Sequence, residues 1–375
     1  MASEAVIDVE ALLAPISESA PTGVDPRADT SPTSAYFKLK DARSAARAAE
    51  RRADSEGGST EIAPEWDAIL DLAPQILTTG GKDLEVTAWY IEALVRAKGF
   101  AGFRDGYRLA GGLCERYWDS FHSLPPDEEG MVSRLAPLAG LNGVDGEGAL
   151  IQPMRKVPIT AAGGDFGPYS AYQYDAAFAL GQIADPAARA NREAAGAVTL
   201  EKFNRAVADS GGAFYVNLLD DLGQAAESFA AITAVLDAKA AAASPPSTSL
   251  RDLLEAITTT VRSISKELVA QALAAQAQAS AAAAPESEAA GAGDGAAAPR
   301  SGAPIGREDA LRQILKLADF FKQYEPHSPI STTLEEVVRR ARLPFSELLA
   351  ELVPDAGVWR AALTNAGIKP PPPTE

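Results

Sequence analysis

Apolar side chains recur along most of this chain at intervals of three and four, the signature of helices buried on one side. Leu84, Ala88, Ile91 and Val95 form one such stripe. From Gly102 to Phe121 two adjacent ladders run together, Phe103–Tyr107–Cys114–Trp118 and Leu109–Leu113–Tyr117–Phe121, and so wide an apolar arc predicts a mostly buried helix. Pro64 with Glu65 and Asp67 is a favourable helix start, proline in the first turn and acids at the positive end of the dipole. Phe214, Leu218, Leu222, Phe229 and Leu236 predict a long helix running to about Lys239. Leu253, Ile257, Val261, Ile264 and Leu268 predict another. Period-two alternation is rare. Only Ile151 to Thr160 has the pattern of a short strand, and Pro153 and Pro158 argue against it. The fold class this predicts is all-α.

Three breaks interrupt the pattern. Ala279 to Pro304 contains 12 Ala, 4 Gly, 3 Pro and 3 Ser, and no apolar side chain larger than alanine or proline, so it cannot bury enough surface to offset its ordering entropy. It reads as a flexible linker. Asp41 to Glu61 also lacks large apolar residues. Its Ala/Arg-rich first half favours an exposed helix that Gly57-Gly58-Ser59 ends, with a partner-binding arm as the alternative. At Ala241 to Ser249, Pro245-Pro246 separates two helices. The expected organisation is an N-terminal helical domain at 1–160, a middle helical region at 161–278, the linker at 279–304, and a small helical module at 305–375 with a Pro-rich tail.

Charge narrows the function. Of 375 residues, 34 are Lys or Arg and 51 are Asp or Glu, a net charge of −17 that disfavours nucleic acid as a partner. The segment 305–375 is nearly neutral, so the acidity belongs to the larger N-terminal part. One cysteine excludes a disulfide framework, and two histidines make a His-rich metal centre improbable. The first residues, with Glu4, Asp8 and Glu10, do not form a signal peptide, and no run of about 18 apolar residues occurs. The expectation is a cytoplasmic protein without membrane insertion.

Catalytic signatures are missing: no phosphate-binding loop, dinucleotide fingerprint or nucleophile elbow. Gly143, Gly146 and Gly148 read as a turn. The sequence therefore assigns no catalytic, cofactor-binding or metal-binding residue. Cys114 reads as a small core residue and His122 as a residue at a helix C-terminus, favoured by the dipole. Phe166, Tyr169, Tyr172 and Tyr174 follow Gly163-Gly164 and read as aromatics laid on the core, with ligand stacking as the alternative. Glu325-Pro326-His327-Ser328-Pro329 forbids a continuous helix and reads as a rigid corner or a partner-facing loop. Thr332 with Glu335 matches a capping box for the helix after it. Arg339, Arg340 and Arg342 form a dense basic cluster that either meets an acidic partner or stays solvated.

Leu12-Leu13-Ala14-Pro15-Ile16-Ser17, with Pro21-Thr22-Gly23, resembles the opening of the ImpA N-terminal domain found in the TssA proteins of bacterial type VI secretion systems. Lys82-Asp83-Leu84, Trp89, Glu92-Ala93-Leu94, Gly99-Phe100-Ala101-Gly102 and Tyr117-Trp118-Asp119 with His122 resemble that domain, in its order. Arg307 to Leu311, Phe320-Phe321 and Glu325 to Pro329 resemble the C-terminal region of the shorter TssA class. Thr22, Val24 and Gly306 depart from the pattern, which has a cysteine, an acid and a serine there. The resemblance implies a non-enzymatic assembly protein without a cofactor. It also implies a homo-oligomeric ring formed through the C-terminal region (here 305–366), with contacts to TssK, TssF, VgrG, Hcp or the TssB/TssC sheath. Pro15, Ile16, Trp89, Trp118, Phe320, Phe321, Glu325, Pro326, His327, Ser328, Pro329, Arg339, Arg340 and Arg342 are the candidate interaction residues. The rival readings are a monomeric helical adaptor and a helical enzyme.

Overall fold

The computed structural model describes residues 2–55, 62–124, 130–144, 147–164, 166–282, 307–324 and 329–343, with single positions at 347, 348, 351, 355 and 364. The chain divides into two compact units, Met1–Glu286 and Ser287–Glu375. Unit one holds α1 (Val9–Leu13), α2 (Ala35–Ser55), α3 (Glu65–Gln75) followed by a π-helical turn at Ile76–Gly80, α4 (Leu84–Tyr117), α5 (Met131–Asn142), α6 (Ile151–Lys156), α7 (Ala171–Gly181), α8 (Pro186–Ala194), α9 (Leu200–Ala240) and α10 (Thr248–Ala282). Unit two holds α11 (Arg307–Tyr324) and α12 (Ile330–Arg342). Among the described residues the only β contacts are isolated bridges, as an all-α fold requires.

The axis of unit one is α4. Its start is fixed by Asp83, which takes the N-cap position and accepts from the Val86 N–H at 2.8 Å. Leu84, Val86, Ala88, Trp89, Tyr90, Ile91, Ala93, Leu94 and Val95 are all buried, so this stretch is enclosed on every side rather than along one stripe. Gly99 breaks the helix with φ +57°, and a Cβ there would approach Val157 Cγ1 to 2.9 Å. Only glycine adopts that backbone without strain. A second kink, at Gly211 in α9 with φ +73°, lets that helix continue along the same core.

Beyond the kink, α4 packs on α9, and α9 packs on α10. Phe103, Tyr107 and Phe229 make the aromatic centre, with centroids 4.4, 5.0 and 5.9 Å apart. Leu222, Ile232 and Leu236 of α9 and Leu250, Leu254, Ile257 and Val261 of α10 complete it. Each such side chain contributes about 1.5–3 kcal/mol through burial. Tyr107 donates to Asn142 Oδ1 at 3.0 Å, and Asn142 Nδ2 donates to Pro246 O at 2.8 Å, which ties α5 to the double-proline corner.

Residues 151–156 are helical, in keeping with the prolines that argued against a strand, with Pro153 in the first turn of α6, where a missing N–H costs nothing. Three local expectations are corrected. The helix holding Cys114 ends at Tyr117. His122 lies beyond it on an extended stretch, its N–H donating to Lys82 O at 2.8 Å and its carbonyl accepting from Leu84 N–H, so a dipole explanation does not apply. Thr332 caps nothing, because α12 begins at Ile330 with Pro329 as N-cap and Thr332 sits within the first turn. The segment 279–282, expected as linker, is the last turn of α10.

In unit two, α11 and α12 pack on one another and bury Leu311, Ala318 and Val338. Leu317, Phe320, Ile330 and Val337 stay exposed.

Candidate functional site

The residues of unit one that carry the family pattern converge where the N-terminal segment crosses the start of α4. Lys82 is fully buried and faces no carboxylate: its Nζ donates to Leu12 O and Leu77 O, both at 2.6 Å. It thereby joins the end of α1 to the π-helical turn. Burial lowers its pKa to about 8. The next residue, Asp83, is also fully buried. Burial pushes its carboxyl up to about 6, against the pull of Arg27 and the Val86 N–H. Arg27 donates to Asp83 Oδ2 and, at 3.0 Å, to Glu85 Oε2, which also accepts from Tyr36 OH at 2.6 Å. One arginine thus binds the loop before α2 to the first turn of α4.

Two further charged clusters hold the domain. Arg43 of α2 donates to Glu92 Oε1 at 2.6 Å while lying over Trp89. Glu50 accepts from Arg96 Nη2 and Trp66 Nε1, both at 2.9 Å. Deeper, Arg104 donates to Asp105 Oδ1 at 2.7 Å, to Asp221 Oδ1 at 3.0 Å, and to the carbonyls of Ser3 and Glu4 at 2.9 Å. Asp221 also accepts from Ser3 N–H and Ser3 Oγ, and Asp105 accepts from Val6 N–H at 2.7 Å. The first residues of the chain are therefore gripped by their backbone. Beside them lies an open groove of about 770 Å³ between residues 5–13, α4 and α9. Sequence reasoning missed Arg104, Asp105 and Asp221. Arg104-Asp105 between Phe103 and Tyr107 on the apolar arc of α4 was the available signal.

Trp89 is buried and stacks on Tyr36 at 5.6 Å. Trp118 is half-buried against Phe121 at 5.9 Å, with Lys239 Nζ 5.3 Å from its ring. Pro15 is exposed and Ile16 half-buried, its N–H donating to Pro21 O. Tyr169 and Tyr174 pack on Phe203, whereas Tyr172 is exposed. Phe320 and Phe321 meet edge to face at 5.6 Å. Glu325, Pro326, His327 and Ser328 lie outside the described residues; Pro329 caps α12. Arg339 and Arg340 pair with Glu336 and Glu351 at 2.6 to 2.9 Å, and Arg342 ends the same helix.

Chemically, these groups fasten elements together. Cys114 is buried, and burial pushes its thiol up to about 12. Among the described residues no group of His, Cys, Asp and Glu could hold a metal ion, and no helix is long and apolar enough to cross a membrane.

Residues 13–143, from the end of α1 to just beyond α5, match the family described as ImpA, N-terminal, type VI secretion system. Over 356 residues, 93% of this chain and 96% of the relative, the sequence is 27% identical to the type VI secretion system component TssA1 of Pseudomonas aeruginosa. A solved structure of the N-terminal domain of the TssA component from Burkholderia cenocepacia, which includes the conserved ImpA_N region, superposes with a TM-score of 0.58 at 26% identity. That match covers 72% of this chain and 98% of the solved one. The helical frame closed by Lys82 and Asp83 thus lies within the stretch, residues 13–143, that matches the ImpA N-terminal family. The chain as a whole is similar to the TssA components of type VI secretion systems.

Proposed function

We propose that the chain is a non-enzymatic, cytoplasmic assembly component of a type VI secretion system. It works as a homo-oligomeric ring, with unit two self-associating and unit one docking on the baseplate and sheath. The observation that carries this reading is the apolar surface of the α11–α12 pair. Leu317 and Phe320 on one helix, and Ile330 and Val337 on the other, remain 41–51% exposed. So small a helical unit holds little core of its own, and association buries what it cannot hide alone. A closed ring satisfies every copy equally and turns weak docking by each unit one into avidity for a symmetric tail.

Arg339 and Arg340 are already paired with Glu336 and Glu351, which favours apolar contact over charge as the driving force. The non-enzymatic reading is supported by the buried ions, which bind backbone and one another and so fasten helices and the N-terminal segment together. The proposed partners are baseplate and tail proteins such as TssK, TssF, VgrG, Hcp and TssB/TssC, with neither nucleic acid nor cofactor involved. Light scattering on the full chain should return a multiple of the protomer mass, and L317S/F320S should reduce it. A monomeric full chain that captures none of these five partners would overturn the proposal.

A further inference from the structure

Helix α2 inverts the charge of the molecule. Residues 35–55 carry six basic and three acidic side chains within a chain of net charge −17. Its inner face is locked: Tyr36, Leu39 and Ala46 are buried, Arg43 binds Glu92, and Glu50 binds Arg96 and Trp66. Asp54 is taken by Lys156. The remaining cations, Lys38, Lys40, Arg47, Arg51 and Arg52, make no side-chain hydrogen bond or ion pair among the described residues. Elsewhere in unit one Arg27, Arg96, Arg104, Arg108, Arg116 and Arg155 are all engaged with carboxylates.

Three of the unengaged cations fall in register. Lys40, Arg47 and Arg51 stand at i, i+7 and i+11, one side of the helix over about 16 Å. Ser44 and Ala48, between them, are small enough to let another backbone approach. Lys38, Arg52 and the one acid still unengaged, Asp41, lie around the helix from this row.

We infer that the Lys40–Arg47–Arg51 face of α2 is a docking surface for an acidic α-helix on a protein partner. Carboxylates at i, i+7 and i+11 of such a helix match the three cations one to one, and the pinned inner face of α2 means that little order is lost on binding. A polyanion such as duplex DNA or an anionic membrane is the weaker occupant. It extends beyond this row onto the acidic remainder of the unit, where it is repelled.

The test uses the full chain and a labelled helical peptide of about 18 residues. The peptide is alanine- and glutamine-based, with glutamates at i, i+4, i+7 and i+11. Its isomer carries the same glutamates distributed around the helix. The wild-type chain should bind the striped peptide at least about tenfold more tightly than the isomer, and increasingly weakly as salt rises. K40Q/R47Q/R51Q should lose that preference, while K38Q/R52Q keeps it, with both variants checked for unchanged helicity. If the triple variant misfolds, K40Q and R51Q singly should each reduce the preference. The inference is overturned if the wild-type chain does not distinguish the peptides, or if the triple variant still does. It is also overturned if the triple substitution abolishes binding to duplex DNA or phosphatidylserine vesicles while leaving peptide binding intact.

Discussion

Arg104 and Asp221, 117 residues apart in sequence, meet at 3.0 Å in the interior of unit one, and both also hold Ser3. Asp105, beside Arg104, doubles the counter-charge and keeps the guanidinium fully protonated. The N-terminal residues, α4 and α9 are thus held by one buried cation.

Removing that cation should be severe. Arg104→Met leaves Asp221 without its cation and Asp105 with only the longer Arg108 contact at 3.4 Å, and losing one side of a buried pair costs about 3–5 kcal/mol. Urea denaturation should show this loss. Hydrogen exchange should show residues 2–6 losing protection ahead of α4, because their carbonyl and N–H partners go with the network.

Lys82 gives a pH dependence whose sign is fixed by its environment. Its pKa falls from 10.5 in the unfolded chain to about 8 when folded, so between these values the unfolded state binds more protons. Stability attributable to this residue therefore rises with pH from about 8 to 10.5, with a limiting slope of about 1.4 kcal/mol per unit. Below pH 8 the cost of burying the charge is present in full. The difference in unfolding free energy between wild type and Lys82→Met should climb through that window. A flat difference would mean that Lys82 stays protonated when folded.

How much of this was legible in the sequence depended on distance along the chain. The heptad-like spacing of Leu84, Ala88, Ile91 and Val95 was enough to predict α4, because period and burial are local. The wide apolar arc from Gly102 onward was likewise enough to predict burial of its second half, but its ion pairs were not legible, since Glu92 and Arg104 look solvated until Arg43 and Asp221 are brought to them. The start of α12 was misplaced because Thr332 offers a side-chain cap, whereas the helix begins earlier, at the fixed φ of Pro329. The candidate residues divided similarly. Trp89, named as an interaction candidate, is buried against Tyr36, and although helical spacing places Glu336 beside Arg339 and Arg340, it does not bring Glu351 to them.

Cys114 should be chemically silent in the folded protein. It is buried, and its thiol is pushed up to about 12 by burial, despite the opposing fields of Lys239 and Arg134. Thiolate is the reactive form, so an aromatic disulfide reagent at pH 8 should modify the native chain at least about 100-fold more slowly than the urea-unfolded chain. Equal rates would show that the α4–α9 core opens on the timescale of the assay.

Two glycines in the same helix should respond oppositely to alanine. Gly99 sits at φ +57°, with Val157 Cγ1 2.9 Å from where a Cβ would stand. Gly99→Ala therefore adds backbone strain and a steric overlap, a loss of about 1–3 kcal/mol. Gly111 has ordinary helical geometry, and its new methyl would stand 3.7 Å from Ile232 Cβ, a normal contact. Gly111→Ala therefore removes unfolded-state freedom without a clash, a gain of about 0.5–1 kcal/mol. Thermal denaturation of the two variants side by side checks the pair. A Gly99→Ala variant as stable as wild type would mean that α4 runs straight through that position, and the kink that turns its second half onto α9 would not exist.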